Sequence, residues 1–415
     1  MKYILSKLAI LAFVVYLFSS CDLVDNGGDD KSADSFLTGY EQVNTFIPLT
    51  INLALDQIPG DYPELDYIKG KVQHGVLVYK ITYNTSFEGQ LKSASGLVCI
   101  PTGEGSFPLM SYQNGTNTLN SNAPSVNPDY ELYLLLEAVA STGFVVVIPD
   151  YLGFGESSDM FHPYLDKESS NKSVLDMLRA AQELAENHID TELSGDLYIA
   201  GYSQGGWATL QLQKEIENRY SGEFNLKASA CGAGPYDLNY VNEYITAQTI
   251  YPMPYYLGYM FNSYLNLGNI TTPVNEVFKE PYASKILSLY DGSKSSGEIN
   301  AELTTNVSDL LTNDYITNFK TDEKYTSVIN SLEANSITAW ETTTPTLLIH
   351  GLADNYVPSK VSTDIHQEFL SLGIDLQQVT WLGLPETDHI GGIVPSGLAS
   401  VSWFLELEEE TNPSE

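Results

Sequence analysis

From about residue 75 the chain alternates two hydrophobic patterns. Short unbroken apolar runs bounded by turn residues, such as "FVVVIPDY" (144–151) and "TPTLLIHG" (344–351), predict strands buried on both faces. Between them lie stretches with helical spacing. "NKSVLDMLRAAQELAENH" (171–188) puts Val174, Leu178, Ala181 and Leu184 on one face, with Asn171 as its candidate cap. "GVLVYKITYNT" and "KSASGLVCIP" predict an opening antiparallel pair, "FPLMSYQNGT" a third strand running into a loop, and "DYELYLLLEAVASTG" a helix. Further on come "DLYIAGYSQGGWATLQLQ" (196–213), with a strand ending near Ala200 and a helix from Trp207 to Arg219, then the strand "LKASACGAG". After "TPTLLIHG" follow a helix from Pro358 to Leu372, the strand "LQQVTWLGL", and a last helix from about Gly397 into "LEEE". Such alternation predicts an α/β fold, a mostly parallel sheet flanked by helices.

Tyr236 to Thr343 breaks the rhythm and is too long for a plain connection. Its tyrosine-dense stretch "YVNEYITAQTIYPMPYYLGYMFNSYLNLGNI" carries helix-like pieces and proline breaks, which predicts an inserted helical cap. Its aromatics either form the cap's own core or line an apolar substrate pocket. The expected division is a leader over 1–20, a flexible acidic tether over 21–40, a core in two parts (41–235 and 344–415), and the cap insertion over 236–343.

The leader has Lys2 and Lys7 ahead of the apolar "LAILAFVVYLF", the layout of a signal peptide. "LFSSC" resembles a bacterial lipobox, which implies lipidation at Cys21 and attachment to the cell envelope, at the outer membrane with surface exposure left open, through the lipid anchor only. "DLVDNGGDDKSADS" then reads as the tether. A formal net charge of −34, or −36 once the two leader lysines are gone, disfavours nucleic acid and anionic headgroups as partners. Arg179 and Arg219 are the only arginines and both fall in helix-like segments, so a forked clamp for anionic substrates is not expected. Cys99 and Cys231 sit in apolar strands as buried free thiols. No metal-ligand spacing and no dinucleotide or phosphate loop appears, so no cofactor or metal is expected.

Candidate chemistry centres on Gly201-Tyr202-Ser203-Gln204-Gly205, a G-x-S-x-G match between a strand and a helix. A serine nucleophile needs a base. Of His74, His162, His188, His350, His366 and His389, only His389 lies in a polar, glycine-bounded loop after the last strand, where it can reach the sheet's carboxyl edge. His162 reads as a structural loop residue and His350 as a packed strand end. Asp354, just past "LLIHG", is the expected carboxylate, with Asp388 as a rival too close in sequence to His389. The order Ser203, Asp354, His389 is that of α/β-hydrolases. The expected oxyanion donors are the N–H of Gln204 and those of Gly115 or Thr116 in "YQNGT".

On "SYQNGT", "PDYLGFGES", "HPYL", "GYSQGG" and "HGLADNYVP" the chain resembles the α/β-hydrolase superfamily, and within it is similar to secreted lipases and esterases. The likeness runs over roughly 75–405 without the cap. Relatives often carry histidine before the oxyanion glycine, where this chain has Asn114. The resemblance implies a serine hydrolase of small-molecule or lipid carboxylic esters. Two other readings are a capped aminopeptidase, which would need acids in the cap to hold an amine, and a non-catalytic module, which would be expected to lack a triad member. Epoxide or haloalkane hydrolysis would use aspartate where Ser203 stands.

Overall fold

The structure is a computed structural model and describes residues 34–411. The expected leader, Cys21 and the tether up to residue 33 lie outside the described residues.

Alternation of buried and half-buried positions makes Val76–Phe87 (β2) a strand with one face in the core, paired antiparallel with β3 (Gln90–Pro101). β4 (Ser106–Gln113), β5 (Val145–Pro149), β6 (Glu192–Tyr202), β7 (Asn225–Gly232), β8 (Thr346–Gly351) and β9 (Val379–Leu384) are mutually parallel, and β3 joins them antiparallel to β5. With β1 (Leu37–Phe46) on the edge the order is β1-β2-β3-β5-β4-β6-β7-β8-β9. All of β5 is buried, as its unbroken apolar run requires. Val145 and Val147 face one core layer, and Val146 and Ile148 face the other.

Helices cover both faces. α1 (Pro48–Leu55), α2 (Pro63–Gly70), α3 (Glu131–Ala140) and the C-terminal helix (Ile393–Thr411) close one layer. α4 (Lys167–Glu183) and α5 (Gln204–Glu215) close the other, with the Trp207 indole fully buried and donating to the Asn335 carbonyl at 2.9 Å. Between β7 and β8 the chain forms α6 (Leu238–Thr246), α7 (Tyr255–Asn266), several short helical turns and α8 (Thr326–Asn335); then α9 (Lys360–Ser371) precedes β9, and the C-terminal helix is α10.

Four expectations need correction. The sheet opens at Leu37, inside the expected tether, because the Glu183 carboxylate accepts the backbone N–H groups of Ser35, Phe36 and Leu37 at 2.7–2.9 Å and β1 then pairs with β2. Its polar, mostly exposed side chains hid that edge strand. α4 starts at Lys167, not Asn171, since Asp166 caps it by accepting Ser169 N–H at 3.0 Å; Asn171 is inside the helix. α5 and α10 begin at Gln204 and Ile393, earlier than Trp207 and Gly397.

Candidate active site

Ser203 sits where β6 turns into α5, with φ 62° and ψ −122°, a conformation that costs a non-glycine residue about 1–3 kcal/mol. Its N–H is held by the Gly232 carbonyl at 2.8 Å. The turn is possible only because its neighbours are bare. A Cβ at Gly201 would overlap the Gly205 carbonyl, and one at Gly205 would overlap the Gln113 carbonyl of β4. This lifts the Ser203 side chain to the carboxyl edge of the sheet and puts it at the N-terminus of α5, whose first N–H groups have no partner within the helix.

The structure brings three distant side chains together there. His389, in the loop between β9 and α10, has Nε2 2.9 Å from Ser203 Oγ and Nδ1 2.6 Å from Asp354 Oδ2. An ionised carboxylate can only accept, so Nδ1 carries the proton and Nε2 offers its lone pair to the serine hydroxyl. The His389 carbonyl accepts the Tyr202 hydroxyl at 2.7 Å, and Tyr356 lies against the ring, with centroids 5.2 Å apart. Asp354 follows β8. Its Oδ1 accepts the N–H groups of Tyr356 and Val357, each at 2.9 Å, and its Oδ2 also accepts His350 Nε2 at 3.1 Å. Burial alone would raise this carboxyl, but the donors from His350 and His389 outweigh it and hold it at about 2. Asp388 instead accepts Gly391 N–H at 2.7 Å, which closes its own loop.

The other histidines serve elsewhere. His74, His188 and His366 bond the Thr102 carbonyl, Asp34 and the Val379 carbonyl. His162 is closer to the chemistry than a loop residue. Its Nδ1 donates to the Leu152 carbonyl at 2.7 Å, so its Nε2 accepts the Gln204 side-chain amide at 2.9 Å. Burial pushes its pKa down to about 4, which keeps this neutral tautomer. Gln204 is thereby fixed at the first position of α5, beside Ser203. Gly115 lies on the other side, where a Cβ would be 3.3 Å from the Tyr202 carbonyl and 3.9 Å from Ser203 Cβ. Asn114 supports that loop by donating to the Pro149 carbonyl at 2.6 Å, while Thr116 Oγ1 pairs with the Tyr164 hydroxyl at 3.0 Å. Asp150 of the quoted "PDYLGFGES" stretch accepts from Ser95 and Ser125 and braces the adjoining loop.

Sequence reasoning missed three contributors: His162, His350 and Tyr256. His350 had one signal, its spacing four residues before Asp354. Tyr256 of α7 had none. It lines the cavity beside Ser203, and burial pushes its hydroxyl pKa up to about 12. That cavity is mostly apolar, walled by Leu238, Val241, Ile245, Leu257 and Met260, with Gln204, Asn242, Tyr164, Tyr251 and Tyr356 also in its lining. No carboxylate lines this cavity. Among the described residues no group of three or more metal-binding side chains occurs, and no helix is long and apolar enough to cross a membrane.

The model of the family described as secretory lipase matches residues 118–407. The chain is similar to a solved protein from Legionella pneumophila whose hydrolase assignment is provisional: 28% identity, TM-score 0.80, covering 92% of this chain and 100% of that one. It is also similar to the rice cell wall degrading esterase LipA from Xanthomonas oryzae, with 26% identity, TM-score 0.73, and 90% and 97% covered. Lipase A from Candida antarctica in its closed state, at 15% identity and TM-score 0.64 over 90% and 83%, shares the fold. No curated protein matches.

Proposed function

The chain belongs to the secretory lipase family, and on that premise we propose that it hydrolyses carboxylic esters with Ser203 as nucleophile, His389 as general base and Asp354 as the group that orients the base. The observation that carries this reading is His389 bridging Ser203 Oγ at 2.9 Å and Asp354 Oδ2 at 2.6 Å.

Ser203 Oγ attacks the ester carbonyl as His389 Nε2 takes its proton. The imidazolium that forms faces a carboxylate held ionised by four donors. The tetrahedral oxyanion is met by the Gln204 N–H at the start of α5 and by an N–H from Gly115 or Thr116; losing one such donor would cost about 10²–10³ in turnover. His389 then gives its proton to the departing alkoxide, leaving Ser203 acylated. Water deprotonated by the same imidazole cleaves the acyl-enzyme and restores the serine. An aminopeptidase reading has less support, since the lining of the cavity offers no carboxylate to a substrate amine. The test is hydrolysis of a p-nitrophenyl ester by the purified protein. Ser203→Ala should lower the rate at least a thousandfold, and a variant as active as the parent would remove Ser203 from its role.

The family's description as secretory accords with an extracellular or envelope location. Lipidation of Cys21 goes further and rests on the leader pattern alone; labelled fatty acid should enter the parent but not a Cys21→Ser variant.

A further inference from the structure

We infer that the cavity beside Ser203 selects esters carrying an uncharged hydroxyl group, which the side-chain amides of Gln204 and Asn242 hold. The inference rests on the ester-hydrolase reading above and names its substrate class.

Gln204 presents an acceptor. His162 Nδ1 donates to the Leu152 carbonyl at 2.7 Å, which leaves Nε2 to accept, and the Gln204 NH₂ donates to it at 2.9 Å. That bond fixes which way the amide lies. Oε1 is at the other end, buried and without a hydrogen-bond partner in the protein. Asn242 of α6 presents the complement. Its Oδ1 accepts the Tyr315 hydroxyl at 3.1 Å, while its Nδ2 is buried and has no partner in the protein. Both residues line the cavity, whereas His162 and Tyr315, which hold the tied ends, do not, and this puts the free ends on the cavity side.

The rest of the lining narrows what can answer these two ends. The hydroxyls of Tyr164 and Tyr251 are already engaged, with Thr116 and with the Tyr356 carbonyl, each at 3.0 Å. No Asp, Glu, Lys, Arg or His side chain lines the cavity, so a charged group would be buried there without a counter-charge. A hydroxyl suits both amides, because its O–H donates to Gln204 Oε1 and its oxygen accepts from Asn242 Nδ2. Solvent can serve the same ends in the free protein. A wholly apolar chain that displaces solvent leaves them bare, at a loss of about 5- to 150-fold in binding for each end. The place of Asn242 points the same way. Leu238, Val241 and Ile245 of α6 share its wall of the cavity, and an amide among them is a poorer helix former than the leucine that could stand there.

The experiment compares pairs of esters that differ by a hydroxyl in place of a methyl. Methyl 3-hydroxybutyrate against methyl 3-methylbutyrate, and methyl 4-hydroxybutyrate against methyl pentanoate, place the hydroxyl in the acyl part; 2-hydroxyethyl butyrate against propyl butyrate places it in the alcohol. kcat/KM is read by pH-stat and divided by the hydroxide-catalysed rate of the same ester, which removes differences in intrinsic reactivity. The proteins are the parent, Ser203→Ala, Asn242→Leu and Gln204→Met, with thermal melts run alongside. The parent should prefer the hydroxyl member of at least one pair by about tenfold or more, and that pair identifies the part of the ester that enters the cavity. The preference should fall below about threefold in both amide variants. Should Gln204→Met fail to fold for want of its bond to His162, Asn242→Leu decides alone. A parent that shows no such preference in any pair, or a preference that survives in either folded amide variant, overturns the inference while leaving the hydrolase reading intact. Failure to cleave any member in a Ser203-dependent way overturns both.

Discussion

Replacing Asp354 by asparagine isolates what the carboxylate does for His389, because the structure dictates how the new amide must lie. Oδ1 receives two backbone N–H groups, from Tyr356 and Val357, so the amide oxygen belongs there. The reverse orientation would set an NH₂ against both donors at a cost of about 1–3 kcal/mol for each group left unpaired. The NH₂ therefore takes the place of Oδ2 and faces Nε2 of His350 and Nδ1 of His389, both donors in the parent. His350 cannot yield, since its Nε2 also serves the Val357 carbonyl at 3.0 Å and that oxygen only accepts. The conflict is relieved by His389, which moves its proton from Nδ1 to Nε2.

That tautomer presents N–H, not a lone pair, to Ser203 Oγ. The base can no longer take the serine proton, and the carboxylate that stabilised the imidazolium is gone. The corresponding change in a serine protease, with geometry preserved, lowers kcat by about 10⁴, and the same is expected here, about 5.5 kcal/mol. The assay is kcat for p-nitrophenyl butyrate with KM measured alongside, on protein whose circular dichroism and thermal melt match the parent. KM should change little. A folded Asp354→Asn variant with kcat within tenfold of the parent would show that the carboxylate does not set the tautomer. Because hydrogen bonds hold Asp354 at about 2, it stays ionised from pH 4 to 8, and any acid loss of activity in that range must come from another group.

Two further predictions concern buried ionisable groups. His162 is held at about 4 against an ordinary 6.5, so between those values the unfolded chain binds a proton that the folded chain refuses. Its contribution is lost as the pH falls through that window, and the stability of the parent relative to His162→Phe in urea unfolding should drop by up to about 3 kcal/mol from pH 7 to 4; a difference independent of pH refutes this. Glu137 of α3 has both carboxyl oxygens buried without a partner and is pushed up to about 9 by burial, with Asp129 adding to the shift. The folded chain keeps this proton while the unfolded chain releases it above about 4.5, so stability is lost as the pH rises from there. Glu137→Met should gain up to about 3 kcal/mol at pH 7 and almost nothing at pH 4 by the same measurement, and no gain at pH 7 would contradict the burial account.

What could be read from the sequence is what depends on local pattern. β5 and β8 announce themselves because strands buried on both faces need unbroken apolar runs. Ser203, Asp354 and His389 could be picked out because each follows the end of a parallel strand, and a parallel sheet gathers all such ends at one edge. β1 was missed for the opposite reason. As an edge strand it buries little, and its start is fixed by a carboxylate of Glu183, 146 residues away. Asn171 looked like a cap because it precedes the apolar stripe, but Asp166, five residues earlier, caps the first turn. His162 and Tyr256 act through partners brought close only by tertiary folding, and no spacing encodes a bond between residues 162 and 204.

The division between legible and hidden parts follows the division of labour in the site. Proton transfer needs few groups in one fixed geometry, and the sheet edge supplies it to any chain with glycines at 201 and 205 and the right residues at three strand ends. The walls of the cavity beside Ser203 come largely from α6 and α7, whose positions depend on stacked tyrosines and on hydroxyl bonds to carbonyls scattered over the core. Any residue has a carbonyl, so those bonds leave no trace in composition or period. Two chains can therefore share every motif of the sheet edge and differ in substrate through the insert alone.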